Sequence, residues 1–316
     1  RDKATPTITL NASSGTIAVG STKTFTATVK SGAASGSVSG TLNVTSGTTS
    51  VATVNPNGNT TISNANNSTG VATTETVSGV AAGSSTITVK FTPSDTTNYN
   101  SAANKTYTAT VKTGITIPTA ANYCKCTSLT SCTSGNAIAY TGSAQTITKA
   151  AGTGYSFSGN SQTNAGSYTI TATLSSGNIW TDSSTGTKTF TCYLPKRTVT
   201  ITAPTVNSTS LTYTGGAQTI AGSAGSCTTG GTMYYYTKNY TTTSAPTFSS
   251  SSSDWSTTYP SSASGTNAGT YYMWYYCYVS DTNNNTGTGI NTATSVTKTI
   301  GKATPTITLN ASSGKV

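Results

Sequence analysis

Residues 77–91 read VSGVAAGSSTITVKF, and the fold turns on how this stretch is understood. A small-residue turn at Ala81-Ala82-Gly83 is followed by Ile87, Val89 and Phe91 on alternate positions, with Thr88 and Lys90 between them. A period of two puts the three apolar side chains on one face of a strand and the polar ones on the other. The same alternation stands upstream in AVGSTKTFTATV (18–29), where Phe25, Ala27 and Val29 share a face. TSVATVNPNG (49–58) is a short strand closed by an Asn-Pro-Asn-Gly turn. No window holds a sustained apolar stripe of 3.6-residue period, so the fold class is all-β.

Composition agrees with that reading. Charged residues are 7% of the 316, against about 25% in ordinary soluble domains. Thr, Ser, Asn, Gly and 18 Tyr take their place; Thr and Tyr suit strands, and Gly, Asn and Ser suit turns. Disordered chains are poor in aromatics, which sets this one apart. The formal charge is +10, but the basic residues are scattered singly apart from Lys196-Arg197. Nucleic-acid binding needs a clustered basic face, so no nucleic-acid partner is expected. No apolar run approaches the roughly 20 residues of a membrane span.

Repetition organises the chain. KATPTITLNASSG occupies 3–15 and returns at 302–314, a period of 299. Weaker echoes follow Lys112 and Lys196, so Lys3, Lys112, Lys196 and Lys302 mark joints between modules. The middle and last modules share wording: YTGSAQTI (140–147) with YTGGAQTI (213–220), and TNAGSYTITATL (163–174) with TNAGTYYMWYYC (266–277). The last module carries thirty extra residues between these phrases, an insertion rich in Tyr and Ser. The expected organisation is a module at 1–112, a second at 113–197, a third with the insertion at 198–301, and the first strand of another copy at 302–316. Spacings near 100 residues suit β-sandwiches, which in series would form a rod with roughly 40 Å per module. The chain is then one period of a longer array plus the start of the next, with the shared phrase expected to dock alike at both ends. A 302–314 strand without a module of its own would complete a sandwich in a neighbouring copy by strand addition.

The phrases of 18–29, 49–58 and 77–91 resemble bacterial immunoglobulin-like (BIG-type) domains. The Tyr-Thr-Gly-x-Ala-Gln-Thr and Thr-Asn-Ala-Gly-x-Tyr phrases resemble a second bacterial Ig-like type, repeated in large surface proteins. The resemblance implies tandem Ig-like sandwiches and an extracellular or cell-surface setting such as an adhesin, a wall protein, a filament or a phage particle. It implies no activity.

Six cysteines without a histidine suggest disulfides and an oxidising compartment. Alignment of the Thr-Asn-Ala-Gly phrases puts Cys277 on the face of Tyr271, Met273 and Tyr275, where it can meet Cys227. In the middle module Cys192 points inward with Phe190 and Leu194. Cys124–Cys192 with Cys126–Cys132 is the favoured pairing there, and the alternative exchanges Cys124 and Cys126. A four-thiolate zinc site competes, but the Cys-x-Cys-x5-Cys spacing lacks the pairs of common structural sites.

Without histidine, the usual Ser-His-Asp and Cys-His nucleophiles are excluded. The six acids, Asp2, Glu75, Asp95, Asp182, Asp254 and Asp281, are far apart in sequence. No enzyme, cofactor or metal is expected. Glu75 is the only glutamate and could assist an isopeptide bond from Lys23 or Lys30, though no motif marks one. Tyr272, Trp274, Tyr276 and Tyr278 line one face of a strand and could stack on glycans. The competing reading is that the insertion, with Tyr234, Tyr235 and Tyr236, folds over them as a second small core. The expected function is a structural repeat of an extracellular filament, stalk or adhesin; a glycan-binding module or a phage fibre protein is the alternative.

Overall fold

The computed structural model describes residues 2–285, 287–310 and 314. Apart from one short helix, Ala120–Tyr123, the regular elements of the described residues are all strands, and the chain divides into two compact units. The first comprises 1–124, 148–160 and 168–192; the second comprises 125–147, 161–167 and 193–316. Among the described residues no helix is long and apolar enough to cross a membrane.

In the first unit the strands are β1 (Thr7–Leu10), β2 (Ser14–Ala18), β3 (Thr22–Lys30), β4 (Ser37–Ser46), β5 (Ala52–Asn55), β6 (Gly58–Asn66), β7 (Val71–Gly79), β8 (Gly83–Pro93) and β9 (Lys105–Lys112). They form two sheets in the orders β1-β3-β7-β5 and β2-β9-β8-β4-β6. Only β2 and β9 pair in parallel. This is an Ig-like β-sandwich: alternate residues of each sheet face inward, and the others meet water. Phe25, Ala27 and Val29 from one sheet meet Ile87, Val89 and Phe91 from the other in a single buried core. Phe25 lies flat on Tyr107, with ring centroids 4.5 Å apart. The alternation that identified the strands thus supplies the core.

β1 is an edge strand. Thr7, Ile8, Thr9 and Leu10 pair with Lys30, Val29, Thr28 and Ala27 of β3, and Ile8 is only 3% exposed. The segment ahead of β1 runs close to Gly32, whose φ is +68°. A Cβ there would collide with the Thr5 carbonyl, so glycine is required twice over: for the left-handed backbone and for the close approach.

A three-stranded sheet follows in the order Tyr155–Ser158, Gly166–Leu174, Lys188–Leu194. Its core is aromatic: Tyr155, Phe157 and Trp180 with Tyr123 and Ile115. The Trp180 indole N–H donates to Gly186 O at 2.6 Å, which satisfies the one polar atom that its burial would strand. The Tyr155 hydroxyl donates to the Tyr123 hydroxyl. Burial first, and then this bond, push the Tyr155 phenol up to about 12.

The second unit centres on a five-stranded sheet in the order Leu211–Thr212, Thr294–Gly301, Gly269–Tyr278, Thr232–Tyr236, Trp255–Ser256. Tyr271 and Met273 of its central strand join Ile220 and Ile300 in one buried cluster. Tyr275, Met233 and Tyr235 make another.

The repeated phrase stands in two settings. The first copy supplies β1. Residues 302–309 lie in no strand, turn or helix, and Ile307 and Leu309 are 86% and 76% exposed. No described strand stands beside them to take the part that β3 plays for Ile8. Residues 311–313 of the phrase lie outside the described residues.

Candidate functional site

Three groups of residues stand out: the cysteines, the aromatic face and the joints. All six cysteines are paired. Cys124 bonds Cys192 across 68 residues, and Cys126 bonds Cys132 across 6. Cys227 bonds Cys277 across 50. Cys277 is fully buried on the face of Tyr271, Met273 and Tyr275. Among the described residues no three His, Cys, Asp or Glu side chains gather closely enough to hold a metal ion.

Glu75 is the one acid in a core. It sits opposite Phe25 in the β3–β7 register and is fully buried. Oε1 accepts from Thr73 Oγ1 at 2.8 Å, while Oε2 has no hydrogen-bond partner. Burial raises its pKa, with the Thr73 bond opposing. Lys23 pairs with Val77 and lies exposed, whereas Lys30 pairs with Thr7 at the sheet edge.

The aromatic face is covered. Phe248, from the insertion, lies flat on Tyr276 with centroids 3.7 Å apart, and its ring also meets Tyr278, Tyr234 and Trp255. The insertion is pinned by its backbone: Trp274 Nε1 donates to Thr242 O at 2.8 Å, and Tyr272 N donates to Tyr240 O at 2.6 Å. Trp274 is left 9% exposed. Rings that could have stacked on a sugar are instead used on Phe248 and Trp255 in a second small core. Tyr272, Tyr276 and Tyr278 all remain half-buried, Tyr272 stacked beside Trp274.

The joint lysines have different surroundings. Lys3 Nζ donates to Thr96 O at 2.8 Å, and Lys112 Nζ to Gly177 O at 2.7 Å. Lys196 is exposed, and its neighbour Arg197 makes the contacts. The Arg197 guanidinium sits 5.2 Å from the centre of the Tyr140 ring, and Nε donates to Tyr140 O at 3.1 Å. Arg197 N donates to Asn283 O at 3.1 Å. Asn283 Oδ1 accepts from Ala165 N at 2.8 Å, and the Asp281 carboxylate lies near enough to the Tyr140 phenol to raise its pKa. The Asn283 N–H, then the nearby Tyr140 phenol, hold the Asp281 carboxyl below the usual carboxylate range. A turn at 281–284 is therefore seated on Tyr140 and the Asn164-Ala165 corner, wholly inside the second unit. The sequence had marked Tyr140 and Asn164-Ala165 as shared wording, but not as a seat.

No protein-family model matches the chain, and no curated protein does. Solved structures do match. Domains 4 and 5 of the S-layer protein SbsC are 31% identical over 33% of this chain and 44% of that one, with a TM-score of 0.24. SbsC domains 5–6 are 17% identical over 94% and 97%, with a TM-score of 0.26. The Clostridium thermocellum CbhA fibronectin(III)-like modules are 15% identical over 60% and 94%, also with a TM-score of 0.26. This chain thus spans under half of the first of these structures. Superpositions this loose leave the fold to rest on the chain's own strand order.

Proposed function

We propose that the chain is a non-catalytic spacer of an extracellular or cell-surface assembly, its strand-built modules laid in series as 1–112, 113–197 and 198–301. The observation that carries this reading is the set of three disulfides in strand-built units with little charge. Such bonds persist in oxidising compartments, and each restricts the unfolded chain more as its loop lengthens. The half-buried Phe248–Tyr276 stack favours the same reading, because it occupies part of the aromatic face with the chain's own ring. Neighbouring copies are the natural partners of a spacer, and residues 302–310 keep the sequence of an edge strand.

Alkylation of the protein from its native source tests the setting. Denatured without reductant, it should take up no iodoacetamide, and six equivalents only after reduction. Alkylation before reduction would refute an extracellular working life.

A further inference from the structure

Resting on the spacer reading for its extracellular setting, we infer that Asn239 is a glycosylation site, whose Nδ2 takes a sugar from a phosphate-activated donor. The acceptor sequence for this modification is an Asn-x-Ser/Thr triplet on a surface loop. The chain holds ten such triplets, because Asn, Ser and Thr are abundant. Sequence alone cannot choose among them; the structure does.

Several triplets are already engaged or hidden. Asn43 Nδ2 donates to Asn59 Oδ1 at 2.7 Å, which ties two of them together across β4 and β6. Asn67 Oδ1 accepts from Gly32 N at 3.1 Å. Asn207 is half-buried, and its Nδ2 donates to Thr219 O at 2.8 Å. Asn284 is only 4% exposed.

Asn239-Tyr240-Thr241 is built differently. Thr241 Oγ1 donates to Asn239 Oδ1 at 2.8 Å, and Thr241 N donates to the same oxygen at 2.9 Å. This Asx-turn folds the amide and the hydroxyl of the triplet to one side, where a transferase can hold both. Among the described residues no other triplet has the hydroxyl of its third residue on the amide oxygen, and no described hydrogen bond engages Asn239 Nδ2. The turn belongs to the insertion and is held from beneath. Tyr272 N donates to Tyr240 O at 2.6 Å, and Trp274 Nε1 donates to Thr242 O at 2.8 Å. These bonds grip the half-buried Tyr240 and Thr242 and leave Asn239 and Thr241 exposed between and beside them. The amide is therefore offered without unfolding a strand, and a bulky sugar there stays at the surface.

The step balances. The bond from Nδ2 to the sugar C1 forms as the C1–O bond to the donor phosphate breaks. The phosphate leaves with the bonding electron pair, and one Nδ2 proton passes to a base of the transferase.

Peptide mapping of the full chain from its native source tests this. Electron-transfer fragmentation should place sugar mass on Asn239. In chains expressed in the same source, Asn239→Gln and Thr241→Val should lose that mass, while Thr241→Ser keeps it. A bare Asn239 overturns the inference, whether the chain carries no sugar or carries it only on Ser, Thr or another triplet. Sugar mass that survives Thr241→Val overturns it as well. Alkylation of the same sample keeps the two readings apart. Oxidised cysteines with a bare Asn239 would leave the spacer reading standing; free thiols with a modified Asn239 would remove that reading and leave the site.

Discussion

Tyr140 and Tyr213 donate the same backbone bond, to Pro195 and Gly301, each one residue before a joint lysine. One ring is covered by a seated turn and the other is open to solvent.

The occupied seat has a pH signature. The folded Asp281 has a depressed pKa, so its contribution is present above the unfolded carboxylate value and is lost as pH falls through the folded one. Tyr140→Phe removes the phenol hydroxyl but keeps the Asn283 N–H. Carboxyl NMR titration should show Asp281 moving part of the way up toward the ordinary range. An unmoved Asp281 would mean that the phenol does not reach it.

Glu75 has the opposite sign. Its raised pKa means that the folded state holds a proton more tightly, so its contribution is full below the unfolded value and fades as pH rises through the folded one. Glu75→Gln keeps the shape and discards the charge. Thermal melts should show the variant gaining on the parent from pH 4 to pH 8, with a difference at neutral pH of about 1–3 kcal/mol, the cost of a buried unpartnered polar group. A constant difference across that range would contradict a buried carboxyl that titrates.

Gly32→Ala tests how β1 is held. A methyl at φ +68°, against the Thr5 carbonyl, should cost more than about 1 kcal/mol. Hydrogen exchange should show the loss in residues 4–10 and their β3 partners. Uniform loosening of both sheets would place the strain elsewhere.

Phe248→Ala should uncover the aromatic face at a cost of about 1–3 kcal/mol, the range for losing the burial of a large apolar side chain. Acrylamide quenching of Trp255 and Trp274 should rise. Unchanged quenching would show that the insertion holds without that ring.

Much of this was legible in the sequence. Phe25, Ala27 and Val29 opposite Ile87, Val89 and Phe91 followed from a two-residue period, which fixes a face without knowledge of the partner sheet. The repeated Tyr-Thr-Gly and Asn-Ala-Gly phrases located equivalent corners for the same reason. Other features were not legible. The seating of Asp281 and Asn283 on Tyr140 joins residues more than a hundred positions apart through a turn with no periodicity. Glu75 stood out in the sequence only as the lone glutamate; the register opposite Phe25 shows that it points inward.

Single-molecule pulling on the chain, oxidised and then reduced, tests the central claim of disulfide-pinned β-modules most directly. Oxidised, Cys124–Cys192 and Cys227–Cys277 shield 68 and 50 residue steps from extension. Reduction should lengthen the fully extended chain by roughly 400 Å at about 3.6 Å per residue, with discrete unfolding peaks in both states. Equal lengths in the two states, or featureless extension, would contradict the account.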